Sequence, residues 1–296
     1  MTQTDTYTRI TSRIVTALEH GVRPWTQPWN GAGAVTRPLR HNGKPYSGIN
    51  VLVLWCSAME RGYSSPTWMT FKQAFELGGC VRKGETGTHI VHAGAHTVTE
   101  TDDAGKASEH AYRYLKSYAV FNIAQIDALP AQYTAKAEPQ RENQAERIHR
   151  AEHFAAATQA SIRHGGHKAY FAPQPDHVQM PPFEAFHDAE SYYATLLHEL
   201  THWTGHTARL NRSFGKRFGD DAYAAEELVA ELGAAFLCAD LGIALEPRED
   251  HASYLAHWLK VLKADKRAIF TAASHAQRAA DFLHTLDAAS SADTAA

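Results

Sequence analysis

The chain has 296 residues, of which 44% are hydrophobic and 21% are charged, and its formal net charge is −3. This composition is typical of a globular protein, and the length is sufficient for two domains of ordinary size. No stretch approaches the length of a membrane span, and the first residues have neither the basic start nor the apolar run of a signal peptide. We therefore expect a cytoplasmic protein that does not cross a membrane.

The cysteines and the charge distribution narrow the classes further. Cys56, Cys80 and Cys238 are far apart, so their spacing argues against a disulfide framework and against a thiolate zinc site. Residues 1–98 contain 10 basic and 5 acidic side chains, whereas the remainder of the chain contains 19 and 27. The basic first part favours a polyanionic partner without identifying it.

The first half of the chain predicts a mixture of helices and strands. Apolar residues four apart at Ile10, Ile14 and Leu18 predict an amphipathic helix over residues 5–20, with Gly21 as its stop. A loop rich in Gly and Pro follows at residues 21–50. Two helices are predicted at 48–60 and 70–77, and two strands at 80–94 and 112–126, with a solvated loop at 99–110 between the strands.

The second half predicts mostly helices around a small sheet. A polar, proline-interrupted stretch over residues 131–147 marks the boundary between the halves. Beyond this boundary we predict a helix at residues 143–161 and a strand–turn–strand segment at 169–182. Three further helices follow, at residues 188–204, 221–241 and 251–285. We therefore predict an α+β protein with an N-terminal α+β domain at residues 1–135 and a mainly helical C-terminal domain with a small sheet at residues 143–286. Residues 287–296 are predicted to be a disordered tail.

Residues 198–202, HELTH, match the pattern H-E-x-x-H, in which two histidines four apart project from one face of a helix. His198 and His202 would then hold one zinc ion, and Glu199 between them would reach a metal-bound water as a general base. Because Leu196 and Leu197 make the preceding turn apolar, we expect the histidines to emerge from a core-facing helix. This context favours a metal site over a solvated polar face.

A catalytic zinc has three protein ligands and one open position, so a third ligand is required. Glu227 and Glu231 stand four apart on a predicted helix that is otherwise apolar, where an unpaired carboxylate is costly to bury. His206 is the other candidate, but the metzincin pattern needs its last histidine at position 208, where the chain has Ala208. We favour Glu227. The alternative for the glutamates is that Glu226 and Glu227 face solvent and that Glu231 pairs with an arginine.

The histidines and glutamates together resemble the site of the gluzincin metallopeptidases. In that family the third ligand is a glutamate on the following helix, and an acidic residue four positions later orients a ligand histidine, which implies these roles for Glu227 and Glu231. The resemblance also implies that Glu199 takes a proton from a zinc-activated water, and that the strand before Asp176 forms an edge for an extended peptide. Candidates for a group that stabilises the oxyanion are Tyr192, Tyr193 and His206.

Aromatic and basic residues alternate through the first part of the chain, most densely in the loop rich in Gly and Pro. Single-stranded nucleic acid is gripped by this combination, because bases stack on aromatic faces and cations follow the phosphates. The alternative is that the tryptophans close a small core. The residues that we expect to contact single-stranded DNA are Trp25, Trp29, Arg37, Arg40, Lys44, Tyr46, Trp68, Lys72, Arg82 and Lys83.

Sequence blocks in both halves resemble the ArdC family of plasmid antirestriction proteins and the related N-terminal region of TraC-type conjugative primases. The blocks are PWTQPWN, YSGIN, PTWMTFKQAFELGGCVRKGETG, FNIAQID, FHDAESYYATLLHELTHWTGHTARLNR and YAAEELVAELGAAFL, and the resemblance covers nearly all of residues 5–285. It implies a single-stranded-DNA-binding domain, a zincin-like metallopeptidase domain, and protection of incoming plasmid DNA from host restriction. It also implies action in the cytoplasm of a bacterial host, including a recipient cell after conjugation, with double-stranded DNA as a further partner.

Two rival functions stay open at this stage. One is an intracellular zinc metallopeptidase whose first half recognises DNA or a peptide or protein substrate. The other is a non-enzymatic protein that coats single-stranded DNA and uses zinc only to brace the fold. Because the polar stretch 131–147 separates the two proposed sites, we expect DNA binding to be independent of the metal under each hypothesis that includes both.

Overall fold

The computed structural model describes residues 5–26, 36–101, 107–134, 144–212, 219–244 and 251–294. A four-stranded, a two-stranded and a three-stranded sheet are combined with a group of long helices. This arrangement confirms the predicted α+β class. Within the described ranges, no helix combines the length and the apolar character that crossing a membrane requires.

The three helices predicted in the first half are present. They are α1 (Thr6–Glu19), α2 (Ile49–Arg61) and α3 (Phe71–Glu76). Asp5 caps α1 by accepting a hydrogen bond from the Tyr7 amide, and Thr70 and Gln73 form a capping box at α3. Gly62 ends α2 in the left-handed conformation, at φ 66°, which a residue without a Cβ adopts readily.

The first half also contains a long β-hairpin. Its strands are β1 (Leu39–Arg40), β2 (Thr67–Met69), β3 (Cys80–Val81), β4 (Thr88–Thr101), β5 (Ala107–Asn122) and β6 (Ile126–Asp127). They form a sheet in the order β1-β2-β5-β4 and a separate β3–β6 pair. The prediction of a solvated loop at 99–110 is wrong for the paired residues of this segment, because Thr101 pairs with Ala107 and the ladder runs unbroken to Thr88 and Val120. Threonines at alternate positions near the end of β4 favour this extension.

The second half contains a small sheet and the longest helices. Its elements are α4 (Ala131–Thr134), α5 (Gln144–Ala157), β7 (Ser161–His164), β8 (Tyr170–Ala172), β9 (His177–Met180), α6 (Ala189–Thr204), α7 (Gly219–Leu241), α8 (His251–Ala264) and α9 (Ala268–Thr294). The strand–turn–strand prediction is confirmed by β8 and β9, which pair antiparallel. The predicted end of the first helix is wrong, since α5 stops at Ala157 and residues 161–164 form β7, parallel to β9.

The last predicted helix, at 251–285, differs from the structure in two ways. It is divided into α8 and α9 because the Asp265 carboxylate turns the chain by accepting a hydrogen bond of 2.8 Å from the Arg267 amide. In addition, α9 continues to Thr294, so the tail predicted as disordered from 287 is helical as far as that residue. Alanine-rich composition favours the helical extension, and Leu286 packs against the core at its start.

One hydrophobic core joins the two halves. Trp25 lies edge-on to Trp258 at 6.2 Å between ring centroids, and Trp55 faces Phe236 at 6.0 Å. Helix α1 packs against α8, and α2 packs against α9. The stretch 131–147 therefore does not separate two independently packed cores, and the reason given above for independence of the two proposed sites is wrong.

A candidate metal centre and a candidate nucleic-acid surface

Helix α6 brings the two histidines of the HELTH motif to one face, opposite α7. Asp188 caps this helix by accepting a hydrogen bond of 2.7 Å from the Ser191 amide. The rings of His198 and His202 lie edge-to-face, with 4.9 Å between their centroids, and both are largely buried. One turn of helix separates them, as the spacing in the motif requires.

A carboxylate from α7 completes a three-residue cluster. The Nε2 atoms of His198 and His202 each lie 3.5 Å from an oxygen of Glu227. One potential ligand atom from each of the three residues lies within 4.8 Å of the other two. A zinc ion bound to imidazole and carboxylate sits about 2.0–2.2 Å from each donor, so one ion can be reached by all three side chains. The donor set therefore fits a divalent metal.

A second set of contacts fixes the ligand His202 from behind. Glu226 Oε1 accepts a hydrogen bond from His202 Nδ1 at 3.2 Å, which leaves Nε2 to face the cluster. The buried Arg212 guanidinium in turn donates to both oxygens of Glu226, at 2.6 and 2.9 Å. The hypothesis that Glu226 faces solvent is therefore wrong. The sequence assigns neither Glu226 nor Arg212 a role at the metal site, because their partners lie 24 and 14 positions away.

Two glycines allow this close packing. A Cβ on Gly205 would lie 2.8 Å from Arg212 Nη2, so a larger residue would displace the guanidinium from Glu226. A Cβ on Gly233 would lie 2.5 Å from the Thr201 side chain, so this glycine lets α6 and α7 approach each other. Gly205 thus makes room for an arginine, and it does not lead to a third histidine ligand.

The cluster changes the proton affinities of its members. Burial lowers the pKa of His202, but hydrogen bonds to Glu226 and Glu227 outweigh it and raise the pKa to about 10. Burial acts to raise the pKa of Glu227, yet hydrogen bonds from His198 and His202 bring it well below its usual value. The pKa of Glu226 is also lowered, because hydrogen bonds from Arg212 and His202 outweigh burial. The site is therefore organised around carboxylates that stay ionised.

The remaining predicted residues of this site lie in three places. Glu199 is buried on α6 beside the ligand histidines, and Glu231 is buried one turn after Glu227 on α7. Orientation of a ligand histidine by Glu231 stays a prediction. His206 does not join the cluster: its Nδ1 accepts a hydrogen bond of 3.2 Å from the Ala208 amide.

The strand that the resemblance assigns to peptide binding lies beside α6. Strand β8 lies at the edge of the sheet β7-β9-β8, and Phe171 on β8 contacts the ring of His206, with 6.4 Å between centroids. Asp176 in the following turn accepts hydrogen bonds from Arg209. Tyr192 is engaged elsewhere, since its hydroxyl lies 2.9 Å from His164 Nε2. Among the described residues no strand pairs with the other side of β8, so its backbone groups are available for an extended chain.

Four residues that the sequence assigns to DNA binding are instead part of the core. Trp25 is 0% exposed, Trp68 and Tyr46 are also buried, and Arg37 is only 6% exposed. Arg37 donates a hydrogen bond of 3.0 Å to Asp240 on α7. Buried rings present no face to a base, and a buried guanidinium paired with a carboxylate is not available to a phosphate. The predictions for Trp25, Trp68, Tyr46 and Arg37 are therefore wrong. Trp29 lies outside the described residues.

The other predicted DNA contacts are exposed and differ in their pairing. Arg82 is held by Glu85 and Asp127, and Lys72 lies 3.7 Å from Glu76. The remaining cations are Arg40, Lys44 and Lys83, for which no acidic partner is found among the described residues. Among the described residues of the first half, the exposed rings that the sequence did not single out are Phe71, Phe75, Tyr114 and Tyr118.

Comparison with known proteins gives two family matches and several close relatives. A model described as the N-terminal domain of anti-restriction factor ArdC matches residues 4–121, and a model described as zincin-like metallopeptidase matches residues 149–275. The protein y4eC of Sinorhizobium fredii is 45% identical over 290 residues, with 96% of this chain and 92% of the relative covered. A DNA primase TraC of Escherichia coli is 38% identical over 292 residues, but this chain spans only 26% of its length.

Solved structures of one protein match almost the whole chain. The metal-free crystal structure of the antirestriction protein ArdC from plasmid R388 is 44% identical, with 96% of this chain and 98% of that chain covered and a TM-score of 0.79. Its Mn(II)-bound structure matches with the same identity and coverage and a TM-score of 0.76. The similarity therefore extends over both halves of the chain.

Proposed function

The chain belongs to the ArdC family of antirestriction proteins, and from this premise we propose that it binds single-stranded DNA with its first half and one zinc ion with its second. The observation that carries the metal-binding part of the proposal is the convergence of His198, His202 and Glu227 on one point, with Glu199 beside them. The DNA-binding part is supported by the match of the first half to the N-terminal domain of ArdC. We further propose that protection of incoming plasmid DNA requires the DNA-binding half.

The choice of zinc rests on the donor set. Two imidazoles and one carboxylate, with a further carboxylate, Glu226, holding His202 from behind, are typical of a catalytic zinc site with an open fourth position. The relative from plasmid R388 has a Mn(II)-bound structure, which supports a divalent metal and leaves the native ion to be measured.

The residues around the cluster suit hydrolysis of an amide. When bound, the metal would lower the pKa of a coordinated water to about 7 and polarise a carbonyl oxygen. Glu199 is buried next to the ligands and is the residue that would accept a proton. The carboxylate of Glu226 holds His202 in the orientation that directs Nε2 to the cluster. An extended peptide would pair with the edge strand β8, which positions its backbone alongside α6.

A non-enzymatic role for the metal is the second candidate. It is favoured by the location of the cluster between α6 and α7, two helices of the core that joins both halves, where an ion would brace the fold. Double-stranded DNA is a further partner to be tested, since exposed cations attract the phosphates of either form.

The Glu199→Gln variant separates the two candidates. A plasmid with restriction sites is transferred into restricting recipients that contain the wild-type protein, Glu199→Gln or His198→Ala/His202→Ala, and transconjugants are counted. Non-restricting recipients serve as the control for general effects on transfer. We expect the wild-type protein to raise transfer only into restricting recipients. Loss of protection in Glu199→Gln, with its metal retained, supports an enzymatic role, whereas full protection supports a bracing role. No protection by the wild-type protein would contradict the proposed function.

A further inference from the structure

The outer part of the β4–β5 hairpin carries an exposed aromatic and basic face. Alternate residues of a strand share one face, so the face that buries Val120 continues outward through Tyr118, Lys116 and Tyr114. Val120 is fully buried, whereas Tyr118 and Tyr114 are 39% and 38% exposed. The hairpin therefore extends beyond the core and presents two tyrosine rings to solvent on either side of a lysine.

The position of the Tyr114 ring is fixed by the neighbouring strand. Tyr114 pairs with Gly94, and a Cβ at Gly94 would collide with the ring, so the ring covers bare backbone of β4. The Lys116 ammonium lies 5.0 Å from the ring centroid, and the His92 ring lies at 6.3 Å. A ring that is already held in place loses little conformational freedom when a base stacks on it.

The second ring, Tyr118, leads to further cations. It lies on the same face of the sheet as Arg40. The strand register connects the two, because Arg40 pairs with Trp68 and Trp68 pairs with Asn122, which is four positions after Tyr118 on β5. The Arg40 guanidinium lies over the Tyr46 ring, 5.3 Å from its centroid. Lys44 shares a turn with Arg40, whose amide donates a hydrogen bond of 2.8 Å to the Lys44 carbonyl. Tyr114, Lys116, Tyr118, Arg40 and Lys44 define what we term the hairpin platform.

The cations of the platform, like Lys83, differ in their pairing from Arg82 and Lys72. In the described part of the chain, no carboxylate lies within ion-pair distance of Arg40, Lys44 or Lys116, although Arg82 and Lys72 are both paired. Cations that the chain does not neutralise are available to phosphates. Exposed rings next to such cations match the two needs of single-stranded DNA, which are stacking surfaces for bases and charges along the backbone.

We propose that Tyr114 and Tyr118 stack two bases of single-stranded DNA while Lys116, Arg40 and Lys44 contact the flanking phosphates. This inference rests on the proposed function, because it assigns the site at which the chain binds single strands. Residues four apart on a strand are separated by about 13 Å, so the two rings receive bases of an extended strand. Stacking requires unpaired bases, which gives a preference for single strands over a blunt duplex and little preference for sequence.

The test measures binding of the full chain to fluorescein-labelled oligothymidylate by fluorescence anisotropy. Tyr114→Leu/Tyr118→Leu keeps apolar cover over Gly94 and removes both rings, and we expect it to weaken binding at least about tenfold. Tyr114→Phe/Tyr118→Phe retains the rings and should bind like the wild-type protein. The matched control is Phe75→Leu, since Phe75 is 72% exposed on α3, outside the platform. Thermal unfolding of each variant verifies that the fold is retained.

The outcomes separate the platform from the proposed function. If the wild-type protein does not bind oligothymidylate, both are overturned. If it binds and the leucine pair binds equally well, or if Phe75→Leu is the weak variant, only the platform is overturned. The wild-type protein should bind an abasic oligonucleotide more weakly than oligothymidylate. The Tyr114→Leu/Tyr118→Leu variant should bind the abasic oligonucleotide about as well as the wild-type protein does. Lys116→Gln should reduce the slope of log affinity against log salt by about 0.7, the contribution of one phosphate contact.

Discussion

The metal cluster and the hairpin platform use similar residue types in opposite ways. Behind the cluster, the Arg212 side chain is buried and its charge is matched by Glu226 from the same chain. In the platform, Arg40 and Lys116 are exposed and lack a carboxylate partner among the described residues. A charge that is paired inside the chain helps to hold a site together, whereas an exposed cation without such a partner is available to a phosphate of another molecule.

The basic segment of the first half contains residues of both kinds. Arg37 pairs with Asp240 and lies 4.4 Å from the Phe236 ring centroid, so it is a buried cation whose charge is matched within the chain. Arg40, only three positions later, is an exposed cation without a carboxylate partner among the described residues. Net charge and composition average over both, and they cannot identify which cation meets a phosphate.

The largest expected effect is loss of the metal when both ligand histidines are removed. His198→Ala/His202→Ala should abolish stoichiometric metal binding, because the free energy of binding to a protein zinc site, on the order of 10 kcal/mol, depends on all of its ligands. Metal content after purification is measured by elemental analysis. His206→Ala is the matched control and should keep its metal, since His206 lies outside the cluster. Retained metal in the double variant would show that the ion binds elsewhere.

The next effect concerns stability and sharpens the distinction between core and surface aromatics. Trp25→Ala should lower the free energy of unfolding by about 3–5 kcal/mol, because it removes a fully buried ring that packs on Trp258. Chemical denaturation measures the change, and the exposed Phe75→Leu should cost less than about 0.5 kcal/mol. A Trp25→Ala protein of normal stability that fails to bind single-stranded DNA would restore the original prediction for this residue.

The motif at 198–202 could be predicted from sequence because its geometry is local. Two histidines four apart meet on any helix, and Glu227 was found because a carboxylate on an apolar helix needs a partner. The burial of Trp25 depends on Trp258, 233 positions later, and no local pattern reports such a contact. The same applies to the grip of Arg212 on Glu226, which depends on how two helices cross. The hairpin was underestimated because its polar tip residues pair only after the two strands have met.

A smaller effect is expected from the residues that hold the ligands in place. Glu226→Gln should weaken metal affinity about 10–100-fold without abolishing binding, because it removes the charged acceptor behind His202. Competition with a chelating dye measures the affinity. Glu146→Gln, an exposed change on α5, serves as the matched control. If both variants bind metal like the wild-type protein, the contact between Glu226 and His202 has no role in metal binding.

The smallest expected effect is that of the metal on DNA binding. The polar stretch 131–147 cannot be the reason for independence, because one core joins the halves. DNA binding is instead expected to be independent of the metal because other contacts hold α7 in position when the ion is removed. Asp240 binds Arg37, and the Ala224 carbonyl accepts a hydrogen bond of 3.1 Å from Trp258 Nε1. These contacts do not involve the metal ligands, and the hairpin packs on α2 rather than on α7. Removal of the ion with a chelator should therefore change the affinity for oligothymidylate by less than about threefold, as expected for sites without shared partners.

A tenfold change in this affinity would show that α7 transmits the presence or absence of the metal to the basic segment that contains Arg37 and Arg40. In that event Asp240→Asn, which weakens the link to Arg37, should remove the dependence on metal, and its failure to do so would place the connection elsewhere in the core.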